Sequence, residues 1–304
     1  MMPSLITPRP HGWLILDKPL GLTSTQALGK ARKLLGGKKV GHGGTLDPLA
    51  SGLLPLAFGE ATKLIPYVMD GEKEYDFTIR WGQQRSTDDA EGDIVAESPV
   101  RPTKEAILAA LPAFLGEIEQ IPPAFSAIKI DGRRAYDLAR AGHDLEMQAR
   151  RVNIRAFSLV KVEDEDHASF TVSCGKGTYI RSLARDLALK LGTYGHISAL
   201  RRTKVGPFTI ENAFSLEKLA DLAHKEAALT ALLGISAALD DIPGLTLNAN
   251  EAQRLRAGQS LLIRPDQLSL MDAPVIMASF QGTPVALVEA YNGSFRVVRG
   301  FTFD

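Results

Sequence analysis

The chain has 304 residues, enough for one large domain with a smaller companion, and its 45 % hydrophobic and 23 % charged content is that of an ordinary globular protein. Its 35 basic and 35 acidic residues cancel, yet successive blocks alternate in net charge, +4 over 1–70, −6 over 71–120, +6 over 121–210 and −4 over 211–304, which permits a basic face for phosphates without requiring one. No run approaches the roughly 18 apolar residues of a membrane span, the opening MMPSLITPRPHGWLIL lacks a secretory pattern, and the lone Cys174 excludes an internal disulfide and a cysteine-based zinc cluster, so the chain reads as cytoplasmic.

Residues 1–10 hold three prolines and little periodicity, which suits a mobile lead-in. Residues 13–16 form a short buried strand, and Lys18-Pro19-Leu20-Gly21 a turn. Thr23 or Ser24 then caps a helix with Ala27, Leu28, Ala31, Leu34 and Leu35 on one face, ended by Gly36-Gly37. A glycine-rich loop, residues 41–47, leads into an apolar run at 53–58, and residues 60–69 look helical. Tyr75, Phe77, Ile79 and Trp81 alternate with polar neighbours as a strand does, and residues 88–92 supply turn chemistry before another strand at Ile94. Residues 121–155 read as an excursion from the core, with an Asp131-Gly132 turn and a basic helix over 133–141. A strand over 167–174, a helix over 178–191 and a helical stretch over 215–239 follow; Asp240-Asp241-Ile242-Pro243-Gly244 then looks like a junction to a small β-rich module.

The loop GHGGTLDPLASGLLPL, residues 41–56, stands out. Glycines on both sides of His42 allow dihedrals and close approaches that other residues refuse, and Pro48 restricts Asp47 to extended backbone. Taken alone, an Asp before Pro is a turn former before it is a catalyst. Spacing tells against the nucleotide-binding and nucleophile-elbow patterns. Gly36-Gly37-Lys38-Lys39 lacks GxxxxGK[ST], Leu46 stands where GxGxxG needs glycine, and Leu49-Ala50-Ser51 breaks GxSxG.

The run GHGGTLDPLASGLLPLAFGEATKL resembles the signature of the TruB family, the tRNA pseudouridine-55 synthases. Four further segments agree in the same order: GWLILDKPLGLTS near the start, KEYDFTIRWG from Lys73, PPAFSAIKIDGRRAYDLARAG from Pro122, and CGKGTYIRSLARDLALKLG followed by ALRRTKVGPF. Together they span residues 11 to about 215; one turn departs, carrying Arg85-Ser86-Thr87 before Asp89 and Gly92 where the family has Thr-Asp-Thr. The resemblance implies an α+β fold, a mixed, mainly antiparallel sheet flanked by helices. It implies a catalytic domain over 11–240, an RNA-gripping thumb insertion at about 122–152 and a PUA-like RNA-binding module over 245–304. The implied activity is isomerisation of a T-arm uridine of tRNA, position 55, to pseudouridine, by a monomer that uses no cofactor, metal or nucleotide and has no membrane partner.

That reaction breaks the C1′–N1 bond, turns the base and rejoins it through C5, so nothing is oxidised or added. A carboxylate suits such chemistry as nucleophile or as counter-charge at C1′, and the resemblance gives this role to Asp47. A neighbouring guanidinium favours the ionised carboxylate. Arg181 is the candidate: if Thr178 caps its helix, Arg181 falls in the first turn, where the dipole disfavours a cation, and such local rule-breaking often marks function. By the same resemblance Tyr75 stacks on the flipped uracil and assists proton removal from the sugar, His42 meets the flipped nucleotides, and Tyr179 and Leu200 line the uracil pocket. Lys18 with Pro19, and the thumb residues Arg133, Arg134, Arg150 and Arg151, are candidate contacts to the RNA backbone. Each residue also has a plainer account, in turn, core, structural ion pair or solvated surface. Two other functions share the same residues: a tRNA-binding folding chaperone with a vestigial or secondary catalytic pocket, and a hydrolase that releases free uracil.

Overall fold

The computed structural model describes residues 10–126, 128–130, 132–141, 145–225, 227–239 and 242–303. The expected lead-in over 1–9, Asp131 of the expected turn and Asp240-Asp241 of the expected junction lie outside the described residues. β1 (Gly12–Lys18) is apolar at most positions because both of its faces are covered. The next element, α1 (Ser24–Leu35), opens on a capping box in which the Gln26 N–H donates to Thr23 Oγ1 (3.1 Å) and the Thr23 N–H to Gln26 Oε1 (2.9 Å). Gly36, left-handed at φ 77°, closes it. β2 (Val40–His42) and β3 (Ala50–Phe58) bracket the Asp47 loop. Residues 60–69, expected as one helix, divide into a 3-10 turn at Gly59–Leu64 and α2 (Ile65–Asp70), since Pro66 has no N–H to donate and restarts the helix in its first turn.

β4 (Lys73–Trp81) buries Phe77, Ile79 and Trp81 at alternate positions. β5 (Gln83–Arg85) and β6 (Ile94–Glu97) pair as a separate ribbon, and α3 (Lys104–Ala110) and β7 (Gly116–Gln120) lead to the thumb. There β8 (Lys129–Ile130) pairs with β9 (Arg133–Arg134) before α4 (Ala135–Arg140), so Arg133 and Arg134 belong to a strand pair and not to the helix expected of them. β10 (Arg150–Val162), β11 (His167–Cys174), α5 (Ile180–Lys190), β12 (Gly195–Val205) and β13 (Phe208–Thr209) complete the larger unit. Its sheet runs β1-β3-β12-β4-β11-β10-β7, with β2 on β3 and β13 on β12. All pairs are antiparallel except β3 with β12, so the expected mixed, mainly antiparallel sheet flanked by helices is what forms. On one face Leu183 and Leu187 of α5 and Ile107 of α3 pack against Phe77, Phe157 and Phe170. Each such side chain contributes about 1.5–3 kcal/mol by burial.

Residues 208–225 and 227–239 run back along β1 as a strap, in which α6 (Leu216–His224) and two 3-10 turns make up the helical stretch expected over 215–239. Backbone bonds dictate this: Leu233 exchanges two with Trp13 (2.8 and 2.9 Å), and Phe214 bonds Ile15 (2.8 Å) and Asp17 (2.9 Å), covering the free edge of β1. The C-terminal segment consists of β14 (Gly244–Thr246), α7 (Ala249–Arg256), β15 (Leu261–Leu262), β16 (Ile276–Phe280), β17 (Thr283–Tyr291) and β18 (Ser294–Gly300). Its sheet is ordered β14-β16-β17-β18-β15. This module does not stand apart: Val275, Met277, Leu287 and Phe301 share one buried cluster with Trp13, Ile15, Leu53 and Val68. Polar bonds close the rim, the Thr302 N–H donating to Glu60 Oε2 (2.9 Å) and Lys63 Nζ to the Gly300 carbonyl (2.6 Å). Among the described residues no helix is long and apolar enough to cross a membrane.

Candidate active site

The loop between β2 and β3 holds Asp47 by its backbone and leaves its side chain 39 % exposed. One clamp is Ser24 at the start of α1, whose hydroxyl accepts from the Leu46 N–H (2.8 Å) and donates to the Leu46 carbonyl (3.0 Å). A second is Arg202 of β12, which donates to the carbonyls of Gly44 (Nη2, 3.0 Å), Thr45 (Nη1, 3.4 Å) and Leu53 (Nε, 2.8 Å). Beyond Asp47, the Pro48 carbonyl accepts from Gly21 N–H (2.8 Å) and the Asp47 carbonyl from Ala50 N–H (3.1 Å).

Facing the loop is the first turn of α5. Tyr179 takes the N-cap position with no side-chain cap bond of its own, and the Thr178 hydroxyl, expected to cap, turns back to the Gly175 carbonyl (3.0 Å). Gln120, at the end of β7 and 1 % exposed, fixes the helix start instead: its amide accepts from the Tyr179 N–H (2.8 Å) and donates to the Tyr179 carbonyl (3.1 Å). Arg181 therefore sits in the first turn, as expected, and is 4 % exposed. Its Nε lies 3.0 Å from Asp47 Oδ2. Nη1 donates to the Thr87 carbonyl (2.9 Å) and lies 3.7 Å from Asp89 Oδ2, while Nη2 donates to the Phe125 carbonyl (2.8 Å) at the thumb root. The Nε–H is not aligned on the Asp47 oxygen, so that contact is ionic and the carboxylate keeps freedom to turn.

One turn further along α5, Arg185 reaches Asp88 Oδ2 (3.0 Å) and the Ile121 carbonyl (2.9 Å), and the Ser182 hydroxyl donates to the same carbonyl (2.8 Å). Asp88 is a non-glycine residue held at φ 59°, a strained conformation of the kind that persists where surrounding bonds over-determine it. Burial pushes its carboxyl above the usual range against the pull of Arg185 and Arg181.

Tyr75 of β4 is half-buried against the main core, cross-strand from Arg202. Burial drives its phenol above the ordinary value, opposed by Arg202, which disfavours the expected role as a base at neutral pH and suits a neutral stacking ring. Leu200 pairs with Ala50 on one side and Phe77 on the other, in a stretch of β12 flanked by irregularities at Ile197/Ala199 and Arg202/Lys204. Asp47, Arg181, Asp89, Ala90, Ser198 and Leu200 line a tight recess of about 20 Å³, room for a water and not for a base. It shares Leu49, Ala90, Ser198 and Leu200 with a groove of about 620 Å³ that has Ser51, Asp76 and Thr78 in its wall.

His42 ends β2 with its Nδ1 buried and unbonded; burial, then Arg202, holds its imidazole below the usual value. Tyr179 carries the Arg150 guanidinium 4.7 Å above its ring, and Arg150 also bonds the Gly177 carbonyl. Arg151 is exposed and bridges Glu117 at 3.1 Å, Arg133 is exposed, and the side chain of Arg134 lies outside the described residues. Lys18 corrects an expectation. It is fully buried, and its ammonium donates to the carbonyls of Leu22 (2.7 Å), Pro19 (3.0 Å) and Pro48 (3.5 Å), so no donor is left for an RNA phosphate, whereas Pro19 is exposed. Burial, offset by Asp47 and reinforced by Arg202, lowers its pKa to about 8. Gln120, Arg185, Asp89 and Arg202 escaped the sequence reading because each acts across the fold; only the departing turn at 85–89 hinted at one of them. Among the described residues no three His, Cys, Asp or Glu side chains converge on a metal-sized site.

Comparison with known proteins returns consistent relatives. Residues 32–180 match the family model described as TruB family pseudouridylate synthase (N terminal domain), and residues 181–240 match tRNA pseudouridylate synthase B C-terminal domain. The chain is 51 % identical over 300 residues to tRNA pseudouridine synthase B of Bradyrhizobium diazoefficiens, covering 96 % of this chain and 86 % of the relative. Against the protein of the same name from Caulobacter vibrioides the identity is 48 %, covering 95 % and 96 %. Among solved structures, a chain of a Cbf5-Nop10-Gar1 complex is similar at TM-score 0.72 and 25 % identity, covering 99 % of this chain and 90 % of that one. A chain of an H/ACA RNP bound to a substrate RNA containing 2′-deoxyuridine shares the fold at TM-score 0.71 and 24 % identity, covering 96 % and 85 %.

Proposed function

Because the chain belongs to the TruB family of pseudouridylate synthases and is a tRNA pseudouridine synthase, an isomerase, we propose that Asp47 is its nucleophile and a T-arm uridine, position 55, its target. The observation that carries this reading is the Asp47–Arg181 contact of 3.0 Å at the mouth of a recess bounded by Leu200. The guanidinium offsets the charge of the carboxylate, while its remaining donors anchor it to the Thr87 and Phe125 carbonyls so that it cannot follow the substrate away. The target base is flipped out of the RNA stack at a cost of a few kcal/mol. In this reading it enters beside Leu200, which lines both the recess and the adjoining groove, and stacks on the neutral Tyr75 ring, with His42 and Tyr179 assigned to its border. The atoms balance without a co-reactant: the C1′–N1 bond breaks, a C1′–C5 bond forms, and a hydrogen leaves C5 as one arrives at N1.

Arg133, Arg134, Arg150 and Arg151 are assigned to the RNA backbone, the C-terminal module to further RNA contact as a PUA-like unit, and the enzyme to the cytoplasm as a monomer. The test is Asp47→Asn incubated with unmodified tRNA. It binds tRNA as the parent does and gives no pseudouridine by position-resolved mass tagging; product formed by this variant removes Asp47 from the role.

A further inference from the structure

Arg202 is 2 % exposed, and no carboxylate lies within ion-pair distance of it among the described residues. Its donors end on three carbonyls, those of Gly44, Thr45 and Leu53. A buried cation met by backbone dipoles and the Tyr75 phenol, with no carboxylate partner, is costly to desolvate and is retained where something else depends on it. What depends on it is visible in the register. Arg202 is opposite Tyr75 on β4 and opposite Gly52 on β3, and two of its acceptors belong to the turn immediately ahead of Asp47. The chain makes room for this contact: Gly52 sits at φ 99°, and a Cβ there would come within 2.3 Å of the Arg202 carbonyl oxygen, while Gly44 sits at φ 122° with the Arg202 guanidinium 3.4 Å from its would-be Cβ. Of the two clamps on the loop, Ser24 ties it to α1, and Arg202 ties the Gly44–Thr45 turn, ahead of the β3–β12 ladder that starts at Ala50, to the strand beside Tyr75.

We propose that Arg202 is a positioning residue for pseudouridylation: it straps the Gly44–Thr45 turn to β12 and thereby sets the separation between the Asp47 carboxylate and the Tyr75 ring, touching neither base nor sugar. This rests on the reading of Asp47 as the reacting group. The charge reaches further, since the same guanidinium helps to keep the neighbouring His42 imidazole neutral.

The test uses the full-length protein with Arg202→Met, which removes charge and donors, and Arg202→Lys, which keeps the charge and can bond fewer carbonyls. tRNA affinity by filter binding stays within about threefold of the parent for both, because the RNA-facing surface is untouched. Single-turnover pseudouridine formation falls by about 100-fold for Met, the effect expected of a misplaced reacting group, and by a smaller factor for Lys, so that the rates rank parent, Lys, Met. A folded Met variant with the parent single-turnover rate overturns the proposal, and so does a rate loss matched by an equal loss of tRNA affinity. Should Met not fold, a folded Lys variant with the parent rate overturns it equally. Asp47→Asn separates the two claims: product from that variant sinks the reading of Asp47, whereas an inactive Asp47→Asn beside a fully active Arg202→Met sinks the role of Arg202 alone.

Discussion

Replacing Gln120 by alanine should loosen the start of α5 without unfolding the thumb root. The amide makes two bonds to the Tyr179 backbone, at 2.8 and 3.1 Å, and so closes the α5 terminus, whose N-cap residue supplies no side-chain bond of its own. At about 0.5–1.5 kcal/mol for each neutral bond, their loss destabilises the protein by about 1–3 kcal/mol. The bonds from Ser182 and Arg185 to the Ile121 carbonyl and from Arg181 to the Phe125 carbonyl remain, so α5 stays docked. Its first turn gains freedom, and although Arg181 keeps its bonds to the Thr87 and Phe125 carbonyls, the Nε contact to Asp47, at 3.0 Å and off the hydrogen-bond line, is the one that a shift of the backbone beneath it lengthens. A displacement of about 1 Å at a reacting group costs about 100-fold in rate. Urea denaturation measures the first effect, and single-turnover pseudouridine formation with saturating tRNA the second. A Gln120→Ala protein that unfolds within about 0.5 kcal/mol of the parent and reacts at the parent rate would refute the assignment of Gln120 as the clamp on α5.

Three further outcomes are expected. Lys18, with a pKa of about 8, loses its proton as pH rises and with it a donor to the carbonyls at Leu22 and Pro48, so single-turnover activity falls above pH about 8 and Lys18→Met abolishes that limb. Unfolding driven by this deprotonation cannot mimic the effect: the unfolded lysine, with a pKa near 10.4, binds more protons than the folded one across that window, so this group's contribution to stability rises with pH while activity drops. Gly52→Ala, forced into φ 99° and against the Arg202 backbone, loses about 2–6 kcal/mol in urea titrations. Deleting residues 245–304 uncovers Trp13, Ile15 and Val68, and the shortened chain should bind a hydrophobic dye or fall out of solution instead of behaving as a free catalytic domain.

Local features of the sequence were legible where the physics is local. The Thr23 cap and apolar stripe gave α1, period-two alternation gave β4, and β11 occupies the stretch expected of it, because each pattern is decided by neighbours within a few residues. β10 was hidden for the opposite reason: irregular pairing at Ile154/Ala156 and Leu159/Lys161 breaks the alternation by which a strand is known. At the site, the cation at Arg181 in the first turn of a helix was readable as a broken rule, yet its cap was assigned to Thr178 when Gln120, 59 residues away, supplies it. Lys18 looked like a surface lysine in a turn, whereas it ends β1 opposite Gly52 and meets Pro48 from across the fold. Arg202 stands in the ALRRTKVGPF segment that carries the resemblance, yet nothing local marks its role, since a buried guanidinium and an exposed one are written with the same letter.

The cluster that joins Met277, Leu287 and Phe301 to Trp13 and Val68 also fixes a dimension. Two bodies welded by a common interior cannot swing on a tether, so an RNA gripped by the tail-end sheet would be offered to Asp47 at one offset and one angle. The molecule would then act as a caliper whose gap is set by apolar packing, and RNAs would be sorted by their span as well as by the base they present.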